Sequence, residues 1–163
     1  MKRPLIVFFG GGIGAGLRGL LLAWLNPLAS VVPLPVLLAN LLGAFILGVV
    51  YVLADEAGLL RAEPRLFLAV GVLGGFTTFS TLGWGADMLL SRGAGDIGAA
   101  MAYLLASVVG GVIAVGTGLA VGREVVGGLG RVSGWLPVRG QRDPHDVRED
   151  METIEAENRE ERI

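Results

Sequence analysis

Four stretches of membrane length with almost no charge decide most of what this chain can fold into. Residues 5–25 carry a single charge, Arg18, and residues 31–54 carry none. Residues 66–86 and 97–122 repeat the pattern, each with at least 21 positions free of charge. About 20 apolar residues cross ~30 Å of hydrocarbon at ~1.5 Å per residue. The expectation is an all-α membrane protein with four transmembrane helices, at about 5–25, 31–54, 66–90 and 97–122. Short connections between them make each helix antiparallel to the next. The first stretch is too long for a cleaved leader and a second span follows at once, so Met1 is expected to remain.

Charge is concentrated elsewhere. Of 28 charged side chains, 17 lie beyond Gly122. The chain therefore divides into a membrane domain, 1–125, and a charged tail, 126–163, which is expected to be disordered and cytoplasmic. Val147, Met151 and Ile154 give the tail one weak amphipathic stripe, too little to bury a core. Lys2, Arg3, Arg61, Arg65, Arg123 and the tail arginines fall on the side shared by both termini, with only Arg92 opposite. Because basic residues collect on the cytoplasmic side, both termini are expected inside.

The composition also excludes chemistry. There is no cysteine and one histidine, His145, so disulfides, thiolate nucleophiles and His-based metal clusters are ruled out. Gly14 to Gly19 fits the spacing of a dinucleotide loop, but the first acid after it is Asp55, and apolar spans stand where alternating strands and helices are required. Close helix packing explains these glycines better. Gly10/Gly14, Gly12/Gly16, Gly71/Gly75, Ser107/Gly111 and Gly118/Gly122 all place small residues at four-residue spacing. No enzyme motif remains, and nothing points to nucleic acid.

Three polar features interrupt the apolar spans. Arg18 sits deep in the first, where an unpaired charge costs on the order of 3 kcal/mol or more. It must face protein or water, or snorkel toward the interface near Trp24. Asn40 sits in mid-span, as a hydrogen-bonded strut or on a polar path. In the third span, Gly74-Gly75-Phe76-Thr77-Thr78-Phe79-Ser80-Thr81 combines two glycines with four hydroxyls. Glycine weakens a helix and hydroxyls compete for its backbone, so a broken helix is expected; irregular backbone at that depth is tolerated only beside a cavity or ion. Phenyl ring edges carry partial positive charge and can face an anion that hydroxyl and amide donors also hold. Tyr103 and Ser107 share one face of the fourth span.

Taken together, the Gly11–Arg18 segment, Asn40–Gly48 and Gly74–Thr81 resemble the Fluc-type fluoride channels, also called CrcB proteins, across the whole membrane part. The resemblance implies an inverted, antiparallel dimer of four-helix subunits in the plasma (inner) membrane, two narrow fluoride pores and a central structural sodium. It implies that the backbone carbonyls of Gly74 and Thr77 hold Na+. It places Asn40, Phe79, Ser80, Thr81, Tyr103 and Ser107 along the fluoride path, and gives Arg18 the place of the family's first-helix arginine.

Two positions depart from the pattern. Leu82 replaces a second phenylalanine, and Gly85 stands where an acid is usual. The arginine bias also favours one orientation, whereas an inverted homodimer needs a subunit that inserts both ways. The partner is therefore either a second copy or an oppositely oriented paralogue.

The implied activity is passive export of cytoplasmic fluoride, which relieves its toxicity. Fluoride is strongly hydrated, and donors must replace its water in sequence without trapping it. The alternatives are a coupled small-ion transporter, for which no intramembrane acid is evident, and a non-conducting partner subunit.

Overall fold

The computed structural model describes residues 2–25, 33–91 and 97–133. Arg92, His145 and the tail positions Val147, Met151 and Ile154 lie outside the described residues. Four helices are long and apolar enough to cross a membrane: Lys2–Leu25, Leu34–Glu56, Ala62–Leu90 and Ile97–Leu129.

Helix α1 (Lys2–Leu25) is continuous despite its glycines. Helix α2 (Leu34–Tyr51) starts behind Pro33, with Pro35 in its first turn. Proline is tolerated there because first-turn N–H groups have no helical acceptor. The second span then widens into a π-helical turn, Val52–Glu56, where the Ala57 N–H donates five residues back to the Val52 carbonyl at 2.8 Å. Gly58, at φ 63°, turns the chain toward the third span.

That span is built in pieces. A short α3 (Ala62–Arg65) passes into a second π-helical stretch, Leu66–Val72, and then into α4 (Leu73–Phe76). Thr77 and Thr78 take extended backbone, with ψ 152° and 125°. Helix α5 (Phe79–Leu90) follows. The last helix, α6 (Ile97–Ser133), has 37 residues. At ~1.5 Å per residue it is about 55 Å long, well beyond the ~30 Å hydrocarbon layer. It continues past Gly122, where the charge-free run stops, and just beyond that point Arg123 pairs with Glu56.

Packing relies on glycine rather than on large side chains. A Cβ on Gly10 would lie 2.9 Å from the Gly71 Cα, and one on Gly14 would run into the Val72 carbonyl. Thus α1 touches the third span backbone to backbone. Likewise α2 lies along α6 where Gly48 meets Val115 and Leu119, and Gly118 meets the Phe45 carbonyl. Gly12, Gly16 and Gly111 instead have nothing within 4 Å, so only some of the small-residue pairs serve contacts inside the subunit. Leu82, Ala86 and Leu89 of α5 pack on Ala100 and Tyr103 of α6 as a compact buried cluster.

One end of the bundle is tied by charge. Arg65 pairs with Asp55 at 2.9 Å, and Arg123 forks onto both carboxylate oxygens of Glu56 at 2.7 and 2.9 Å. Both pairs lie at the solvent-exposed end of the bundle, where screening leaves each a weak tie. They join the ends of α2, the third span and α6.

Candidate functional site

The extended residues Thr77 and Thr78 leave backbone groups without helical partners, and helix α2 supplies replacements. The Thr78 N–H donates to Asn40 Oδ1 at 2.9 Å, and Asn40 Nδ2 donates back to the Thr78 carbonyl at 3.3 Å. Between membrane helices such bonds contribute about 0.6–2 kcal/mol each. The carboxamide keeps one further N–H.

Thr78 also starts the next helix. Its hydroxyl oxygen caps α5, accepting from the Thr81 N–H at 3.5 Å and from the Thr81 hydroxyl at 3.3 Å. It lies 2.9 Å from Ser80 Oγ; with both acceptor positions engaged, its own proton is left for Ser80. Before the interruption, the Thr77 N–H and hydroxyl both donate to the Leu73 carbonyl at 2.9 Å. Among the described residues, no hydrogen bond reaches the carbonyl oxygen of Gly74 or Thr77.

An open groove of about 380 Å³ runs beside these residues. Asn40, Gly43, Gly74, Thr77, Thr78, Phe79 and Leu82 line it. Gly43 is required for its shape, since a Cβ there would run into the Thr77 methyl and approach the Phe76 ring at 3.1 Å. Phe79 stands 84% exposed on the outer face of the subunit, while Leu82 is buried at 8%.

The groove unites Asn40, Gly74, Thr77 and Phe79 of the residues singled out in the sequence. Ser80 and Thr81 sit just beyond it in the first turn of α5. Tyr103 and Ser107 lie on α6, with the Ser107 hydroxyl donating one turn back to the Tyr103 carbonyl at 2.7 Å. The Tyr103 side chain is 3% exposed and its hydroxyl has no partner among the described residues. A Cβ on Gly85 would lie 3.0 Å from that hydroxyl and 2.8 Å from Pro33 Cγ. Arg18 is half-buried on α1 and makes no ion pair with another described residue. Among the described residues no cluster of three His, Cys, Asp or Glu exists.

Sequence reasoning missed Thr78 and Gly43. Thr78 was legible only as one hydroxyl among four; its capping role follows from its place immediately before α5. Gly43 lay within the Asn40–Gly48 segment that carries the family resemblance, but nothing in the sequence showed which side chain its missing Cβ admits.

Comparison with known proteins places the chain in a family. Residues 5–119 match the family described as CrcB-like protein, Camphor Resistance (CrcB). The chain is 41% identical over 128 residues to the Fluoride-specific ion channel FluC of Thermus thermophilus, covering 78% of this chain and 98% of the relative. It is 41% identical over 112 residues to the protein of that name from Leptospira interrogans, covering 68% and 87%. With the one from Anaeromyxobacter sp. it shares 40% identity over 115 residues, covering 70% and 90%. The match runs through all four apolar helices, and the chain belongs to the CrcB family as a multi-pass membrane protein.

Proposed function

We propose that the chain is a subunit of a fluoride-selective channel that lets cytoplasmic fluoride leave passively, and that it is not an enzyme. The observation that carries this reading is the groove at the interruption of the third span. There, backbone and amide groups and a mid-span phenyl ring face outward at a depth where lipid offers polar groups nothing. Irregular backbone survives there only when protein or water covers it, which argues for a second, inverted subunit over the Phe79 face.

In this reading the third span works as a broken helix. The free N–H of Asn40 and the ring edge of Phe79 replace part of the hydration of fluoride without fixed positive charge, so the ion is not trapped. Ser80 and Thr81 extend the path with hydroxyls. Tyr103 fits the pore wall because a buried hydroxyl without a partner costs about 1–3 kcal/mol, a cost removed when an ion or a second subunit accepts from it. Arg18, with no ion-pair partner among the described residues, faces that neighbour or water.

The residues also fit a structural sodium. Among the described residues nothing donates a hydrogen bond to the carbonyls of Gly74 and Thr77, which suit a hard cation that takes oxygen ligands. Bound between two subunits, the ion would supply positive charge that ties the two interruptions together. The arginine distribution supports cytoplasmic termini, and membership of the family supports the plasma (inner) membrane.

The partner is a second copy or an oppositely oriented paralogue. Leu82, Gly85 and the arginine bias favour the paralogue, since a pair tolerates one degenerate pore. Efflux from liposomes, read with a fluoride electrode and repeated in chloride, tests the proposal. Rapid fluoride-selective efflux supports the channel, and efflux only with the paralogue supports the pair. Dependence on a second ion gradient would establish a coupled transporter instead, and no flux in either composition a non-conducting subunit.

A further inference from the structure

We infer that Asn40 and Thr78 are positioning residues for the cation: they divert the N–H groups that would otherwise occupy the carbonyls of Gly74 and Thr77. The inference rests on the sodium reading above and assigns to it two side chains outside the ligand set.

In an uninterrupted α-helix each N–H bonds to the carbonyl four residues earlier. Thr78 would then occupy Gly74, and Thr81 would occupy Thr77. Neither bond is present. The Thr78 N–H goes to Asn40 Oδ1 at 2.9 Å, and the Thr81 N–H goes to Thr78 Oγ1 at 3.5 Å. The carbonyl just before this pair behaves differently, since Leu73 accepts from both the N–H and the hydroxyl of Thr77. The i to i−4 bond is therefore still made at Thr77, and the diversion starts at the residue that Asn40 grips.

The grip has two points. Asn40 Nδ2 also donates to the Thr78 carbonyl at 3.3 Å, so the carboxamide fixes both polar groups of one residue, as a neighbouring strand would. One helical turn along α2, Gly43 leaves the room that the Thr77 methyl fills. Asn40 thus does by hydrogen bonding for Gly74 what Thr78 does by capping for Thr77, and each is required for one carbonyl.

Sodium-dependent thermal stability of the full chain in detergent tests this without reference to transport. Sodium would be titrated against N-methylglucamine at constant ionic strength. A ligand that binds only the folded state raises the melting temperature with its concentration, giving a sodium midpoint for each variant. Asn40→Ala should raise that midpoint about 10- to 100-fold, the range for groups that orient metal ligands. Asn40→Asp, which keeps an oxygen for the Thr78 N–H, should stay at or below the wild-type midpoint. Thr78→Val should raise the midpoint and Thr78→Ser should not.

An unchanged midpoint in Asn40→Ala, or equal losses in Asn40→Ala and Asn40→Asp, would overturn the inference while leaving the sodium reading intact. If Asn40→Ala does not fold, equal midpoints for the two Thr78 variants would overturn it. Absence of any sodium response in the wild type, both alone and together with the oppositely oriented paralogue, would remove the sodium reading and this inference with it.

Discussion

Phe79 makes the demands of the outer face visible in one side chain. Its ring projects from the subunit at 84% exposure, so its removal costs little packing within the chain. Phe79→Ile should therefore keep the protein folded yet lower fluoride efflux by about tenfold or more, the cost of losing a preorganised donor on a charged species; the electrode assay against a melting curve separates the two. Leu82 and Gly85, the two departures from the family pattern, differ in whether they can be reversed. Leu82 belongs to the buried α5–α6 cluster but also lines the open groove, so Leu82→Phe should raise efflux at a cost of about 1–3 kcal/mol of overpacking, read as a lower melting temperature. At Gly85 the space is closed by Pro33 and Tyr103, so Gly85→Glu should lower the melting temperature even in the Leu82→Phe background. The sequence marks Asn40 as a polar residue in lipid but conceals its partner, because Thr78 lies 38 positions away and no local spacing encodes that pairing.

Helix contacts here are set by what is missing from them. Gly48 and Gly118 bring α2 and α6 within backbone distance, and Gly10 does the same for α1 against Gly71. Gly48→Val should cost about 1–3 kcal/mol by overpacking, seen as a lower melting temperature, whereas Gly12→Ala, in open space, should leave the isolated subunit's stability unchanged. Number and approximate place of the four spans were legible because charge-free length alone sets them. Their pieces were not. The π-helical stretches Val52–Glu56 and Leu66–Val72 widen the helix over a single turn, too briefly to alter an apolar pattern that is hydrophobic on every side. Nor did apolar length show that α6 continues past Gly122, since the Arg123 bond to Glu56 joins positions 67 apart.

For the whole molecule the open question of partnership becomes one of orientation. The chain has no cysteine, so a single Lys2→Cys substitution reports the side of the membrane on which the first helix begins. Expressed alone, the protein should be labelled by a membrane-impermeant thiol reagent only after the cytoplasmic face is exposed. Equal labelling from both sides would instead mark a subunit that inserts both ways and pairs with itself. Neutralising Arg61 and Arg65 together should shift the population toward mixed orientation, since short-loop charges weigh most in insertion. Beyond the Glu56 pair, α6 runs on from Arg123 to Ser133, about 15 Å of rod continuous with a membrane helix. A small helical protein fused in register at that end would turn with the bundle as one body. So small a membrane protein offers little to align in electron microscopy, and this extension of a membrane helix is the place to attach the fiducial it lacks.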